Sequence, residues 1–402
     1  MEERRRLRRR ADSATVAGDH LLLYRASGVL ARIAVVVDQL DDDGLRTPLV
    51  EDVLAAFPHG ELHVASDRRA WPRPVAGRTP LVWPGRDEGP RGLWRRRRRT
   101  PTPTPDLGDY DLVLRLGDRR SRGFLARADA LDLTFITALD DAEGDAREAQ
   151  LGAGLRDRCA MQSADVVWCA TRRLLATLRR RWQVEAQLLY PPAELGAVGA
   201  EVDARRLILA AADGISPAWN ARLDTLARWY PDLEVVKHGR PRVKPRRAEG
   251  RIEPPTPERF AALVGGARAV VMPPGDSFDP RAVWAAAAGV PVIAPISSAS
   301  AETVEGLERR EPTGVLLEEV SDAALADGVA FIERHGPLFA PERLRAHATR
   351  WSHDRFRRTL KSLVLEAWCA HVAATSAFET TPDPAFESEG TAAVAPLQAE
   401  VK

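Results

Sequence analysis

Short, almost wholly apolar runs alternate with amphipathic segments along most of the chain. Such runs are typical of strands in a parallel sheet that is buried on both faces. They occupy positions 32–38, 61–65, 110–114, 131–136, 164–169 and 186–190, and then 206–212, 233–236, 269–272, 292–294 and 315–317. Helical spacing of apolar residues separates many of them, as at 49–57, 171–182, 219–229, 257–265 and 322–334. The pattern predicts an α/β fold with two successive sheets.

The stretch 270–304 has the pattern of one strand–helix–strand unit. An apolar run ends at Pro273, an alanine-rich helix is expected at 283–288, and Gly289 ends that helix before the next strand. Ligands of such sheets bind at the carboxyl ends of the strands, near helix N-termini. Asp276 is therefore either the cap of the helix or a ligand-binding carboxylate.

The 402 residues exceed what one ordinary core accommodates, so the length indicates two or three domains. The pattern divides the chain into six segments. They are a disordered basic extension at 1–30, an N-terminal Rossmann-like domain at 31–193, a linker at 194–205, a C-terminal Rossmann-like domain at 206–340, a helical segment at 341–371 and a disordered tail at 372–402.

Composition excludes several function classes. Basic and acidic residues balance, 58 against 57, so the net charge indicates neither a nucleic-acid nor a membrane partner. Cys159, Cys169 and Cys369 are isolated, which gives neither a zinc spacing nor a disulfide framework. A metal pair at His59 and His63 is not expected, because Gly60 interrupts any helix between them. No apolar run approaches the roughly 20 residues of a membrane span, and a cytoplasmic protein is expected.

A run of five arginines follows Trp94 in a segment rich in proline and glycine: Arg95, Arg96, Arg97, Arg98 and Arg99. Three interpretations remain open. The run is a solvated loop of an arginine-rich chain, a patch that binds an anionic membrane surface, or a patch that binds nucleic acid.

Several motifs occur in an order and at spacings that resemble one protein family. They are RIAVVVDQL, LGDYDLVLRLG, SADVVWCATRRLLATLRRRWQVEAQLLYPPAE, GGARAVVMP, AAAAGVPVIAP, AETV, PTGVLLE and FAPERLRAHATRWSHDRFRRTLKSLVLEAW. From about position 32 to 368 the chain resembles glycosyltransferase family 4, the group 1 transferases of GT-B architecture. The mannosyltransferase-like members of surface-polysaccharide pathways are the most similar subgroup. The resemblance implies two Rossmann-type domains that face a cleft, with a C-terminal helix crossing back.

The resemblance also implies an activity. Such proteins pass a hexosyl group, with retention, from a nucleotide-diphosphate sugar to a polysaccharide or lipid-linked acceptor, without metal or cofactor. The chain would act in the cytoplasm, as a peripheral protein at the inner membrane face. The family's first acid falls on Asp276, the catalytic candidate. The donor-binding candidates are Ser277, Phe278, Ser298, Ala299, Glu302 and Thr303.

The chain departs from the family pattern at several of these positions. The second acid falls on Trp284, which cannot accept a hydrogen bond, and a family glycine falls on Asp279. The glycine pair of the phosphate turn falls on Ser298 and Ala299. An alternative function follows: a catalytically degenerate GT-B protein that is a partner or regulator of an active glycosyltransferase.

Simpler structural roles remain open for the same residues. The turn at 297–300 is either a phosphate site or an ordinary strand-to-helix turn. Glu302 either belongs to the donor site or only complements a helix dipole. Trp284 either packs in a core or fills the space that a nucleotide would occupy.

Overall fold

The computed structural model describes residues 14–17, 20–25, 28–37, 47–66, 75, 79–84, 106–117, 125–137, 162–196, 207–211, 217–239, 251–253 and 256–379. Within these ranges the chain forms two large parallel sheets, one after the other, and helices flank each of them. The α/β fold predicted from the apolar runs is therefore confirmed. The arginine run at 95–99 lies outside the described residues.

The N-terminal sheet has seven strands, all parallel. The strands of this half of the chain are β1 (Ala14–Ala17), β2 (His20–Leu23), β3 (Ile33–Val37), β4 (Glu61–Ser66), β5 (Leu81–Pro84), β6 (Asp106–Leu107), β7 (Leu112–Leu116), β8 (Leu125–Ala126), β9 (Leu131–Ile136), β10 (Val166–Cys169) and β11 (Gln187–Leu188). The large sheet has the order β11-β10-β9-β7-β3-β4-β5, while β1 with β2 and β6 with β8 form small separate pairs.

The C-terminal sheet has six strands, again all parallel, in the order β14-β13-β12-β15-β16-β17. They are β12 (Leu207–Ala211), β13 (Glu234–His238), β14 (Arg251–Glu253), β15 (Ala267–Val271), β16 (Val292–Pro295) and β17 (Gly314–Leu317). In both sheets the central strands are buried on both faces, which explains why their sequences are continuous apolar runs.

Eight α-helices connect or follow these strands in the described residues. They are α1 (Thr47–Ala56), α2 (Arg172–Thr177), α3 (Pro217–Trp229), α4 (Pro257–Val264), α5 (Pro280–Ala288), α6 (Asp322–Arg334), α7 (Pro341–Ala348) and α8 (His353–Glu379). A π-helical turn, Leu178–Trp182, continues α2, and short 3-10 turns cover Ala299–Thr303, Gly336–Leu338 and Thr349–Trp351.

Helix α8 crosses back from the C-terminal domain onto the N-terminal one. Its apolar residues recur every fourth position, Phe356, Leu360, Val364 and Trp368, and each is buried in the core cluster of the N-terminal domain. The predicted C-terminal crossing helix is therefore confirmed. The helix continues to Glu379, so residues 372–379 are helical where the sequence indicated the start of a disordered tail.

The N-terminal segment also differs from the expected disordered extension. Strands β1 and β2 pair antiparallel. Leu21 and Leu23 lie on the same face of β2 and are buried in the cluster that contains α8. The indole N–H of Trp368 donates to the main-chain oxygen of Tyr24 at 3.2 Å. This short hairpin packs against α8, a contact that the arginine-rich sequence around it does not indicate.

Candidate functional site

The carboxyl ends of three strands meet between the two domains. After β10, Thr171 begins α2 in the N-terminal domain. After β15 and β16, two loops of the C-terminal domain bring Asp276 and Glu302 against that helix. The strand ends of the two sheets therefore face each other across one cleft, where ligands of parallel α/β sheets bind.

Asp276 accepts three hydrogen bonds from the N-terminal domain. Its carboxylate accepts a hydrogen bond from Nε of Arg173 at 2.7 Å and a longer one from the hydroxyl of Thr177 at 3.4 Å. Its main-chain oxygen accepts from the hydroxyl of Thr171 at 2.8 Å. About a third of the Asp276 side chain is exposed, 33%, so the carboxylate remains within reach of a ligand in the cleft.

The interpretation of Asp276 as a helix cap is wrong. Asp279 caps α5 instead, with its carboxylate accepting from the main-chain N–H of Arg281 at 3.0 Å. Because Pro280 occupies the first helical position, the helix begins three residues earlier than the alanine-rich run indicated. The carboxylate of Asp276 is thereby released from any capping role and pairs with the N-terminal domain.

Glu302 accepts three hydrogen bonds, all from the N-terminal domain. The main-chain N–H groups of Arg172 and Arg173 donate to it at 2.8 and 3.0 Å, and the hydroxyl of Tyr190 donates at 2.9 Å. The two N–H groups belong to the first turn of α2, where a negative charge is favoured by the helix dipole. Burial and the bond to Glu302 raise the pKa of Tyr190 to about 12, so the phenol keeps its proton and donates.

The turn expected to hold phosphate is satisfied internally. The hydroxyl of Ser298 donates to the main-chain oxygen of Pro295 at 2.7 Å, and the N–H of Ala299 donates to the main-chain oxygen of Gly275 at 2.7 Å. The hydroxyl of Thr303 donates to the main-chain oxygen of Ser300 at 2.9 Å. Ser298, Ala299 and Thr303 are all buried. These groups shape the turn and hold it against the loop that carries Asp276.

Ser277 and Phe278 diverge in the same loop. Ser277, next to Asp276, is exposed. Phe278 is half-buried and packs against both the N-terminal core and the C-terminal core. Its ring is therefore an apolar contact between the domains directly beside the polar contacts of Asp276.

Trp284 lies in the core of the C-terminal domain. Its side chain is buried, 3% exposed, and its ring centroid lies 5.5 Å from that of Phe260. Val264 and Ala282 share the same cluster. Among the described residues its indole N–H has no hydrogen-bond partner. Trp284, a residue of α5, therefore packs against α4 within the apolar core of the C-terminal domain.

A buried charge pair beside the cleft is a feature that the sequence did not reveal. Nε and Nη2 of Arg281 donate to the carboxylate of Asp279 at 2.9 and 2.6 Å, and Nη1 donates to the main-chain oxygen of His238 at 2.8 Å. Burial raises the pKa of Asp279, but the charge and hydrogen bonds of Arg281 outweigh burial and lower it. Burial, followed by Arg281, lowers the pKa of His238 to about 4, so that imidazole is neutral at pH 7. The negative charge of Asp279 is therefore compensated by Arg281, in the first turn of the helix that Asp279 caps.

The described residues contain no cluster of three or more potential metal ligands. No helix in the described parts of the chain is both long and apolar enough to span a membrane.

Three polar residues next to these interdomain contacts in the chain are exposed: Arg172, Ser277 and Ser297. The site therefore combines a partly exposed carboxylate, a cation and two hydroxyl groups at the edge of two sheets, which suits a polar, hydroxyl-bearing and anionic ligand.

Comparisons with known proteins identify the fold. No protein-family model matches the chain, and no curated protein matches it. Among solved structures, the sucrose-phosphate synthase of Thermosynechococcus elongatus is similar with a TM-score of 0.61 at 16% identity, over 84% of this chain and 100% of that one. WaaG, a glycosyltransferase involved in lipopolysaccharide biosynthesis, gives 0.55 at 14% identity, over 83% and 99%. Anabaena HepE, solved with UDP-glucose, gives 0.52 at 12% identity, over 86% and 99%. These likenesses, together with the two parallel sheets, show that the chain has the GT-B fold of two Rossmann-like domains.

Proposed function

We propose that this protein is a glycosyltransferase that passes a hexosyl group from a nucleotide-diphosphate sugar to a polysaccharide or lipid-linked acceptor, with retention. The observation that carries the proposal is the position of Asp276. It stands at the carboxyl end of β15, partly exposed in the cleft and oriented by Arg173 from the other domain. A carboxylate held in this way can accept hydrogen bonds from sugar hydroxyl groups.

A departing nucleoside diphosphate needs compensation of its negative charge. The first strand of the C-terminal domain has no cation, since β12 reads LILAA. Helix α2 of the opposite domain brings one instead, because the exposed Arg172 begins that helix and its main-chain N–H donates to Glu302. In this proposal Arg172 meets the diphosphate and Asp276 meets the sugar.

Two of the solved neighbours support the substrate class. HepE was solved with UDP-glucose, and WaaG takes part in lipopolysaccharide biosynthesis. A role in polysaccharide assembly and the family 4 assignment are part of the proposal and rest on the sequence motifs. A location at the cytoplasmic membrane face would suit a lipid-linked acceptor.

A second candidate function is favoured by a different observation. Asp276 and Glu302 are both engaged by the N-terminal domain, and a core tryptophan stands at the family's second acid position, Trp284. A protein of this kind would be a non-catalytic partner or regulator of an active glycosyltransferase. It would retain the fold as a binding surface.

Nucleotide binding tests the first candidate. Because a ligand that binds only the folded state stabilises it, UDP, GDP or ADP at millimolar concentration is expected to raise the melting temperature. The matching nucleotide sugar should then release the nucleoside diphosphate when an acceptor glycan is present. Replacing Arg172 by Gln is expected to weaken diphosphate binding about tenfold or more, and replacing the exposed Arg310 by Gln is the matched control.

The outcomes separate the two candidates. Binding with turnover supports the transferase, and binding without turnover for any donor supports the non-catalytic candidate. Absence of any nucleotide-dependent stabilisation overturns the transferase. The second candidate further requires a stable complex with an active transferase, and a monomer that forms no such complex would contradict it.

A further inference from the structure

The contacts between the two domains centre on Glu302 and Asp276. Glu302 holds the first turn of α2 through Arg172 N–H and Arg173 N–H, and it also holds the hydroxyl of Tyr190. Asp276 holds the side chain of Arg173. Every one of these bonds joins a carboxylate of the C-terminal domain to a donor of the N-terminal domain.

Tyr190 connects these contacts with the hinge, which is the region where the chain passes from one domain to the other. The chain passes between the domains after Tyr190 and again around Trp351, and the two passages touch, since the N–H of Ala193 donates to the main-chain oxygen of Trp351 at 2.9 Å. The rings of Tyr190 and Trp351 are 6.4 Å apart in a T-shaped arrangement. Tyr190 therefore belongs to the hinge through its ring and to Glu302 through its hydroxyl.

These polar contacts are of a kind that can be made and broken. The side chains of Arg173 and Asp276 are 41% and 33% exposed, so water can replace their bonds when the cleft widens. The N–H groups of Arg172 and Arg173 are the first of α2 and have no partner within the helix. If Glu302 moves away, only solvent can satisfy them.

We propose that Glu302 and Asp276 form an interdomain latch that holds the cleft closed in the absence of any ligand. Widening of the cleft requires these bonds to break, whereas a ligand can still reach the exposed part of Asp276 while they are made. The closed state is then a property of the chain itself, independent of the transferase function proposed above. The bonds from the main-chain N–H groups to Glu302 are expected to favour the closed state by about tenfold, and the partly exposed pair of Arg173 and Asp276 by less.

Hydrogen exchange of the ligand-free protein tests the latch. Glu302→Gln removes the charge and turns one amide nitrogen, which cannot accept, toward N–H groups that need an acceptor. The amides of Arg172 and Arg173 are expected to exchange about tenfold faster or more. The radius of gyration from X-ray scattering should increase as the cleft opens. Glu319→Gln, at an exposed position, is the matched control and should behave as the unmodified protein.

Two further measurements distinguish an opened latch from general destabilisation. The amides of the buried strand β12 should keep their exchange rates in the Glu302→Gln variant, because opening leaves each domain folded. Tyr190→Phe removes a single hydroxyl and should produce the same changes to a smaller degree. Unchanged exchange at Arg172 and Arg173 in the Glu302→Gln variant overturns the latch. Accelerated exchange that is equal in β12 overturns it too.

Discussion

The carboxylate of Asp52 accepts a hydrogen bond from Nδ1 of His353, 2.5 Å away across a chain separation of 301 residues. Asp52 lies on α1 and is almost wholly buried, 2% exposed, whereas His353 is the first residue of the crossing helix α8. Nε of Arg357, one turn further on, donates to the same carboxylate at 2.6 Å. One buried acid of the N-terminal domain thus holds the beginning of the helix that returns from the C-terminal domain.

The pair predicts a pH dependence of stability. The hydrogen bond to Asp52 raises the pKa of His353 against the opposing effect of burial, and the charges of Asp52 and Glu194 raise it further. A raised pKa in the folded state stabilises the fold fully below the unfolded value of about 6.5. This stabilisation is lost as pH rises through the folded value. The difference in free energy of unfolding between the unmodified protein and His353→Gln is expected to be largest near pH 5.5 and to shrink toward about pH 8.5.

Denaturant unfolding at several pH values measures this difference. His59→Gln, at an exposed histidine of the same domain, is the matched control and should change the free energy of unfolding by less than about 0.5 kcal/mol. A His353→Gln difference that stays constant across the range would mean that the imidazole charge does not contribute to holding α8.

The buried pair of Asp279 and Arg281 predicts strong coupling. Asp279→Ala leaves the Arg281 charge buried without its partner, and the protein is expected to lose about 3–5 kcal/mol of stability. Arg281→Met should also destabilise, because the oxygen of His238 then lacks its donor. The double variant is expected to lose clearly less than the sum of the two single losses. Strictly additive losses would contradict the pairing.

Because Trp284 is buried, replacing it by the acid that the family has at this position is expected to destabilise the protein. Trp284→Glu places a carboxylate among Phe260 and its apolar neighbours, so a loss of about 4 kcal/mol or more, or failure to fold, is expected. Trp284→Phe keeps most of the packing and should lose about 1–2 kcal/mol. Thermal and denaturant unfolding measure both. A stable Trp284→Glu variant with improved nucleotide binding would show that this position faces the cleft.

Adding a single methyl group at Gly289 is expected to reduce the stability of the protein. It ends α5 with a positive φ of 82°, and a Cβ atom there would lie 2.9 Å from Cβ of Pro341 on α7. Gly289→Ala is therefore expected to lose about 1–2 kcal/mol. Gly336→Ala is the matched control, because nothing lies within 4 Å of its added Cβ, and it should change stability by less than about 0.5 kcal/mol. Equal stabilities of the two variants would contradict the argument.

The sequence predicted the two sheets because their signal is local. Strands such as β3 and β16 are buried on both faces, so every residue in them is apolar and the run stands out. The end of the helix at Gly289 was equally local, since a glycine with a proline two residues later leaves the helix few alternatives.

The arrangement of the candidate site could not be predicted in the same way. Arg172 is 130 residues from Glu302 along the chain, and Arg173 is 103 residues from Asp276. The spacing of apolar residues along a sequence predicts helices and strands, but it does not indicate which residues of two different domains contact each other. Asp276 followed a strand and preceded a helix, so a cap was the natural expectation, yet Asp279 stood closer to the helix and took that role.

The N-terminal hairpin was concealed for a different reason. Its strands have four residues each, too short for alternation to be distinguished from a polar tail. Leu21 and Leu23 gain their burial from α8, which lies more than 300 residues later. Local composition could not indicate a partner so remote.

The position of α8 in the N-terminal core has a consequence for biosynthesis. Phe356, Leu360, Val364 and Trp368 supply part of the apolar surface against which Leu21 and Leu23 pack. A ribosome releases the first Rossmann-like domain long before it has made this helix. The N-terminal domain therefore completes its core only after synthesis has reached α8, near the end of the chain, whereas the two apolar clusters of the C-terminal half are made of residues 193–351.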